Sequence, residues 1–147
     1  MKMIYTLILI TSLSILIGCS NRMDTEIGKS KNTGGFEIEI KQLYDYKERD
    51  RIEKKPPKNV VKVDIVITNK NNIESGIGSL DFKAFDKKGK ELSHYGYAPS
   101  IGDVLQMGET LTGSIYIVGK KQDINTLKYV EPVAKKETTW QIGANKN

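Results

Sequence analysis

Cysteine, histidine and tryptophan each occur only once among the 147 residues. The single thiol, Cys19, cannot form a disulfide within the chain, so the hydrophobic core has to stabilise the fold by itself. The single histidine, His94, excludes a metal site built from several histidines. No G-x-S-x-G motif supplies a nucleophile for a catalytic triad. These absences predict a protein that is not an enzyme, with no catalytic residue, no cofactor and no bound metal.

Long apolar runs are also absent, apart from one at the N-terminus. The stretch from Ile4 to Ile17 is apolar with hydroxyl residues as its only interruptions, and Lys2 precedes it. A membrane-spanning helix needs about 20 apolar residues, so this stretch is short for a permanent span. A short apolar run behind a positive charge is typical of a secretory signal peptide. The sequence therefore predicts that residues 1–18 direct export and are then removed.

The end of that run carries the motif Leu16-Ile17-Gly18-Cys19. It resembles the lipobox of bacterial lipoproteins, although Ile17 is larger than the commonest residue at its position. The resemblance implies that a diacylglyceryl group is attached to the sulfur of Cys19 and that the bond between Gly18 and Cys19 is cleaved. Two acyl chains anchor a protein stably, whereas one binds a membrane only marginally. The expected location is therefore the outer face of the cell membrane, held by a lipid anchor.

The charge balance is mildly basic. Removing residues 1–18 takes Lys2 from the 23 basic residues and none of the 18 acidic ones, which leaves 22 against 18, a net charge of +4. The lysines alternate with acids, as in KERDRIEKK at 47–55, and no basic block with interleaved aromatics is present. We therefore expect no nucleic-acid partner. A weak attraction to anionic headgroups or wall polymers and a merely solvated lysine-rich surface both remain open.

Period-two alternation dominates the chain after Gly34-Gly35. Apolar residues alternate with polar ones, which is typical of strands with one buried face. Asp86 and Gly89 mark a tight turn, and residues 102–108 are interpreted as a loop. The alternating sets are Phe36, Ile38 and Ile40; Val61, Val63, Ile65 and Ile67; Leu80, Phe82 and Ala84; Leu111, Gly113, Ile115 and Ile117; Leu127 and Tyr129; Trp140 and Ile142.

Seven or eight short strands without a helical period predict an all-β, immunoglobulin-like antiparallel β-sandwich. Residues 36–143 form this domain. Residues 19–35 are polar, small and without periodicity, so they are predicted to be a lipidated flexible tether between Cys19 and the domain.

The order of four segments resembles a known family. These segments are VVKVDIVITNKN (60–71), LDFKAFDKKGKEL (80–92), MGETLTGSIYIV (107–118) and LKY (127–129). They are similar to bacterial exported domains of unknown function with a telokin-like fold, also described as immunoprotective extracellular domains. The resemblance implies the sandwich fold and an exported, often lipid-anchored state. It implies no catalytic residues.

The stretch from Ser93 to Leu105 is the best sequence candidate for a binding surface. It is rich in loops and aromatic residues, and function tends to lie on loops carried by rigid sandwiches. His94, Tyr95, Tyr97 and Leu105 are the residues proposed for it, although packing of one or both tyrosines into the core is an alternative. The predicted function is binding of an unknown envelope or extracellular protein or polymer. A structural role that masks a surface component, or an enzymatic one, is the alternative.

Overall fold

Ten antiparallel strands build the domain in the computed structural model, which describes residues 25–143. A four-stranded sheet has the order β1-β2-β3-β8, a second has the order β10-β9-β5-β6, and β4 pairs with β7. The strands are β1 (Ser30–Asn32), β2 (Phe36–Tyr46), β3 (Val60–Asn69), β4 (Ser75–Gly78), β5 (Phe82–Phe85), β6 (Glu91–Leu92), β7 (Gly102–Leu105), β8 (Thr110–Val118), β9 (Thr126–Val130) and β10 (Glu137–Gln141).

One continuous core lies between the two four-stranded sheets. In β3, β5, β9 and the first half of β2, the inward-facing residues come from every other position, as the alternation predicts. Burial of each such side chain contributes about 1.5–3 kcal/mol, so this core is the main source of stability. The predicted all-β sandwich is confirmed. The largest fully buried side chains are Trp140, Tyr129, Phe82, Ile38, Ile40, Ile65, Ile67, Leu105, Ile115, Ile117, Ile124 and Leu127.

Strand β2 changes its alternation halfway along. The register with β3 shifts between Ile40 and Gln42, where a bulge inserts one extra residue. The bulge returns Leu43 to the core. Beyond it, Tyr46 packs outside the main core, with its ring centroid 4.7 Å from that of Tyr116. The irregular pattern after Ile40 therefore has a local structural cause.

The domain begins earlier than the sequence predicts. Residues 25–35 were expected to belong to the tether, yet Ser30–Asn32 pair with β2 as strand β1. The Glu26 amide donates to the Gln141 carbonyl (2.7 Å), and Trp140 Nε1 donates to the Lys29 carbonyl (3.1 Å). Backbone pairing holds this segment although its side chains are polar, so alternation gave no signal. The remainder of the predicted tether, residues 19–24, lies outside the described residues, as do Gly18 and Cys19.

Two further expectations about the strands are corrected. Leu80 does not face the core, because it lies on a single 3-10 turn, Ser79–Asp81, and is 77% exposed. Residues 102–105 are not a loop, because Gly102–Leu105 pair with Ser75–Gly78. The Asp86 turn is as predicted: Asp86 Oδ1 accepts from the Lys88 and Lys90 amides, and Gly89 has φ +77°.

The strand directions define two ends of the sandwich. Strand β2 runs from Phe36 to Tyr46 and β3 runs back, so Asn69 lies beside Phe36 and Val60 beside Tyr46. The Phe36 end consists of the connections 33–35, 70–74, 106–109 and 131–136. The Tyr46 end consists of the connections 47–59, 86–90 and 119–125.

Candidate functional site

The surface proposed from sequence, Ser93–Leu105, does not form as expected. Leu105 is 1% exposed and belongs to the main core. Tyr95 is 3% exposed and packs with Val60 and Tyr116 in a smaller cluster. Tyr97 alone of the three stays on the surface, with its ring centroid 5.9 Å from that of Tyr95. The alternative that a tyrosine packs inward therefore describes Tyr95.

His94 has a structural contact rather than an exposed ring. The side chain is half-buried, and its Nε2 lies 2.8 Å from the Phe82 carbonyl oxygen. A carbonyl only accepts, so Nε2 carries the proton and donates it. Nδ1 is buried and has no hydrogen-bond partner within residues 25–143. His94 thus links the segment after β6 to the start of β5.

Tyr95 instead helps to hold the long connection between β2 and β3. Its hydroxyl donates to Glu53 Oε2 (2.7 Å), and the Arg49 guanidinium lies 5.5 Å from its ring centroid. Burial, together with the neighbouring Glu53 carboxylate, raises the pKa of Tyr95. Arg49 also donates to the carbonyls of Tyr46 and Pro57. These contacts give the connection a defined shape without any regular secondary structure.

A cavity of about 500 Å³ opens at the Phe36 end, between the two sheets. Phe36 from β2 and Tyr129 from β9 both line it, with ring centroids 6.2 Å apart in an edge-to-face arrangement. Apolar surface with a few polar groups is typical of a site that binds a small group of a ligand. The remaining lining residues are Thr33, Gly34, Gly35, Asn71, Ser75, Gly76, Glu131, Pro132, Val133, Ala134 and Lys136.

Local sequence explains why this cavity is not filled. Gly34 has φ +101°, a conformation that side chains other than glycine's rarely adopt. A Cβ added at Gly35 would lie 3.0 Å from the Asn71 side chain, which itself donates to Ser75 Oγ (2.9 Å). Pro132 lies two positions after Val130, the last residue of β9, and prevents the strand from continuing. Two glycines and a proline therefore leave room where neighbouring connections have side chains.

Tyr129 is the most deeply buried polar residue in the lining of the cavity, with 1% of its surface exposed. Burial raises the pKa of Tyr129 to about 12, with a further contribution from the charges of Asp81 and Glu131. No group within the described part of the chain forms a hydrogen bond with the Tyr129 hydroxyl, which therefore remains protonated and able to donate to a ligand atom.

Exposed apolar side chains surround the opening. Val133 lines the cavity and is 89% exposed. Ile73, 71% exposed, lies between the lining residues Asn71 and Ser75. Val104, 54% exposed, is the register partner of the lining residue Gly76. Such residues occur singly on most surfaces, so their grouping around one cavity marks a candidate contact surface.

Asn69 holds this rim together. Its side chain is fully buried at the end of β3. Nδ2 donates to the carbonyls of Ile73 (2.9 Å), Leu105 (2.9 Å) and Gln106 (3.2 Å), and Oδ1 accepts from the Asn71 amide (2.9 Å). One side chain thus fixes the 70–74 connection against the end of β7.

A second cavity, of about 570 Å³, lies at the Tyr46 end. Charged side chains line much of it, among them Asp45, Lys47, Lys58 and Lys120. The Arg49 guanidinium in its wall is already bonded to backbone carbonyls. This cavity is a solvated gap between connections, and we place the candidate binding site at the Phe36 end.

Residues 25–143 contain neither a metal-ligating cluster nor a membrane-spanning helix. No group of three or more His, Cys, Asp or Glu side chains is placed to hold a metal ion there. The same residues contain no helix that is both long and apolar enough to cross a membrane.

Three solved structures share the fold. The lipoprotein candidate ycdA of Bacillus subtilis is similar to 80% of this chain, with a TM-score of 0.62 and 17% identity, and the chain spans only 39% of its length. The match to the yjhA protein of Bacillus subtilis covers 81% of this chain and 99% of the length of yjhA, with a TM-score of 0.62 and 15% identity. The match to the secreted protein MPT63 of Mycobacterium tuberculosis covers 72% of this chain and 82% of the length of MPT63, with a TM-score of 0.53 and 15% identity.

Among curated protein sequences, none matches this chain. A protein-family match covers residues 25–139, from the segment before β1 to the middle of β10. The family is described as a domain of unknown function, and its match includes the 25–35 segment that the structure places in the sandwich. The chain therefore belongs to the DUF4352 family.

Proposed function

We propose that this protein is a lipid-anchored, extracytoplasmic binding module that presents the Phe36-end cavity to an envelope or extracellular partner. The lipobox resemblance at Leu16–Cys19 supports the anchor. Two proteins of the same fold, one a lipoprotein candidate and one secreted, support an exported location. The domain type that fits these features is the telokin-like, immunoprotective extracellular one.

The single observation that carries the binding role is the buried Tyr129 in the lining of a largely apolar cavity, with a hydroxyl that no residue of 25–143 engages in a hydrogen bond. A ligand that fits has an apolar group that contacts Phe36 and an uncharged acceptor that forms a hydrogen bond with the Tyr129 hydroxyl. An apolar side chain beside its own backbone carbonyl has both features. The partner is therefore a protein that inserts an apolar residue of an extended segment, and the exposed Ile73 and Val133 extend the contact beyond the cavity.

The position of the cavity suits a partner outside the cell. The Glu26 amide pairs with Gln141, at the end of β10 that lies beside the Tyr46 end. Ile27 lines a groove there with Asp45, Lys121 and Ile142. An anchor on Cys19 would thus hold the domain by the Tyr46 end and direct the Phe36 end away from the membrane.

The proposal includes that the protein is not an enzyme. His94 supports this, because its Nε2 is bonded to a backbone carbonyl and its Nδ1 is buried. A general base has to reach a substrate proton with one ring nitrogen. Neither nitrogen of His94 is placed at either cavity.

A crosslinking pull-down from intact cells tests the proposal. The native chain is compared with Cys19→Ser, with Val133→Glu at the cavity rim, and with Leu80→Glu as a matched control on another exposed apolar residue. Tyr129→Phe removes the hydroxyl and Tyr97→Phe is its control. We expect one saturable partner that is lost with Val133→Glu and weakened with Tyr129→Phe, but kept by both controls.

Two outcomes contradict it. A partner captured equally by Val133→Glu and Leu80→Glu shows that the cavity is not the site. If no partner is enriched while the native protein remains in the membrane fraction, the masking role replaces the binding role. Loss of Cys19→Ser from the membrane fraction reports on the anchor separately.

A further inference from the structure

We propose that the Tyr46 end of the domain is a docking surface for anionic lipid headgroups, which seats the domain on the membrane. This inference rests on the proposed anchor at Cys19, and it deepens that function by assigning an orientation. The occupant is a bilayer surface that carries negatively charged phospholipid.

Charge is divided unequally between the two ends. The three connections of the Tyr46 end contain eleven lysines and arginines against five aspartates and glutamates, a net charge of +6. The four connections of the Phe36 end contain three of each, a net charge of zero. The basic excess of the whole domain is therefore located at one end. Ten of the eleven cations are exposed: Lys47, Arg51, Lys54, Lys55, Lys58, Lys87, Lys88, Lys90, Lys120 and Lys121.

The acids at this end form no ion pair with these cations within residues 25–143. Each of the five carboxylates accepts a hydrogen bond from an uncharged group of the protein: Glu48 from Tyr46, Asp50 from the Ile52 amide, Glu53 from Tyr95, Asp86 from the Lys88 and Lys90 amides, and Asp123 from the Lys120 amide. Within residues 25–143, the six ion pairs all involve lysines outside these connections. The acids shape the connections, and the cations remain available to a partner.

The three connections form one contiguous surface. Gln122 lines a groove with Lys58 and Lys120, a second with Lys87 and Asp123, and a third with Lys121. Ile52, 76% exposed, lies among the cations of the longest connection. A basic surface with an exposed aliphatic residue is suited to the interface of an anionic bilayer, where the cations contact headgroups and the aliphatic group enters the acyl boundary.

The covalent path from Cys19 brings this end close to the bilayer. Thr25 is six positions after Cys19, and a fully extended chain covers at most about 3.3–3.6 Å per residue, roughly 20 Å in total. Ile27 lies in the groove with Lys87 and Lys121. The anchor therefore lets the Tyr46 end come within the Debye length of the surface, about 8–10 Å, where each basic residue increases membrane partitioning about fivefold.

Flotation with vesicles tests the surface without the anchor. The chain from residue 19 to 147 with Cys19→Ser contains every residue that the structure describes. Vesicles contain either 30% phosphatidylglycerol in phosphatidylcholine or phosphatidylcholine alone. We expect binding to the anionic vesicles only, with loss of binding when NaCl rises from 0.1 to 1 M and the Debye length falls from about 10 to 3 Å.

A matched pair of charge reversals locates the contact. Lys54→Glu/Lys55→Glu changes neighbouring exposed lysines at the Tyr46 end, and Lys135→Glu/Lys136→Glu changes neighbouring exposed lysines at the Phe36 end. Both variants lower the net charge by four. We expect at least about a tenfold loss of partitioning for the first and less than twofold for the second. Lys87→Glu/Lys88→Glu, in another connection of the Tyr46 end, is expected to resemble the first.

Equal losses for the two ends would overturn the proposal, because net charge alone would then explain binding. Absence of flotation with anionic vesicles would overturn it too, as would binding to soluble polyphosphate without binding to vesicles. Urea unfolding of each variant confirms that it is folded. Membrane fractionation of the native chain against Cys19→Ser tests the anchor separately, so a failed docking surface and a failed anchor give different results.

Discussion

Asn69→Ala is the substitution whose effect follows most directly from the contacts. The Asn69 side chain is 0% exposed and joins three carbonyls and one amide. Its amide nitrogen has two protons, so two of the three carbonyl contacts count fully, and the bond to Oδ1 is a third. At about 1 kcal/mol net per hydrogen bond, the substitution removes about 3 kcal/mol.

Unpaired groups add to that loss. The Leu105 carbonyl contact is buried, and a buried acceptor without a partner costs about 1–3 kcal/mol. The expected destabilisation by Asn69→Ala is therefore about 4–6 kcal/mol, a large part of the 5–15 kcal/mol typical of a domain. With an m-value of about 2 kcal/mol/M, the urea midpoint should fall by roughly 2–3 M while m stays unchanged.

The matched control is Asn72→Ala. Asn72 is exposed in the same connection, and no side-chain hydrogen bond of Asn72 occurs within the described residues. Its substitution should change the free energy of unfolding by no more than about 0.5 kcal/mol. If Asn69→Ala lowers the midpoint by less than about 0.5 M, or no more than Asn72→Ala does, Asn69 does not hold the rim.

Three other expectations concern packing, the first strand and alkaline pH. A Cβ at Gly113 would clash with Ile101 Cγ2, so Gly113→Ala should destabilise the fold by about 1–3 kcal/mol. Combining it with Ile101→Ala should reduce that loss, whereas additive losses of the free energy of unfolding in urea would contradict the contact. Trp140→Phe removes the hydrogen bond to the Lys29 carbonyl, so amide hydrogen exchange should become faster in residues 25–32 but not in β3. Unchanged exchange in residues 25–32 would show that Trp140 does not hold this segment. The pKa of Tyr129 rises from about 10 in the unfolded chain to about 12 in the fold, so its contribution to stability is constant below pH 10 and is lost between pH 10 and 12. Tyr129→Phe should flatten this decline in the free energy of unfolding, and an identical decline in the variant would refute the prediction.

Local patterns predicted the strands wherever apolar and polar residues alternate without interruption. Val60–Asn69 is the clearest case, because β-branched residues occupy most of its positions and its inner face is apolar as far as Ile67. The Asp86 turn was equally predictable, because an Asx side chain and a glycine act on residues within four positions. In such segments the interactions that decide the conformation are close in sequence.

The same patterns did not reveal β1 or β7. Ser30–Asn32 are polar on both faces, and their position depends on pairing with β2 and on the Trp140–Lys29 contact across 111 residues. In β7 only Leu105 is buried, so its burial pattern shows no alternation. Short strands of this kind form because a partner strand offers hydrogen bonds, and the residues of the short strand do not reveal which strand that partner is.

The candidate site was misplaced for a similar reason. Tyr95 and Leu105 lie in a loop-rich aromatic stretch, and their burial follows from contacts with Val60 and with the main core. Phe36 and Tyr129, which line the cavity, are 93 residues apart and become neighbours only when the two sheets pack. Gly34-Gly35 was the one local signal near the cavity.

The sequence by itself determined the strand-forming segments and the all-β class, because alternation and turn residues act within a few neighbouring residues. It also predicts an export signal at residues 1–18. The tertiary structure decided which apolar faces meet, where the cavity opens and how charge divides between the two ends. The lysines of 47–58, 87–90 and 120–121 look interleaved with acids along the chain. They become one basic surface because the antiparallel register brings three connections to the same end and directs the nearby acids toward neutral donors.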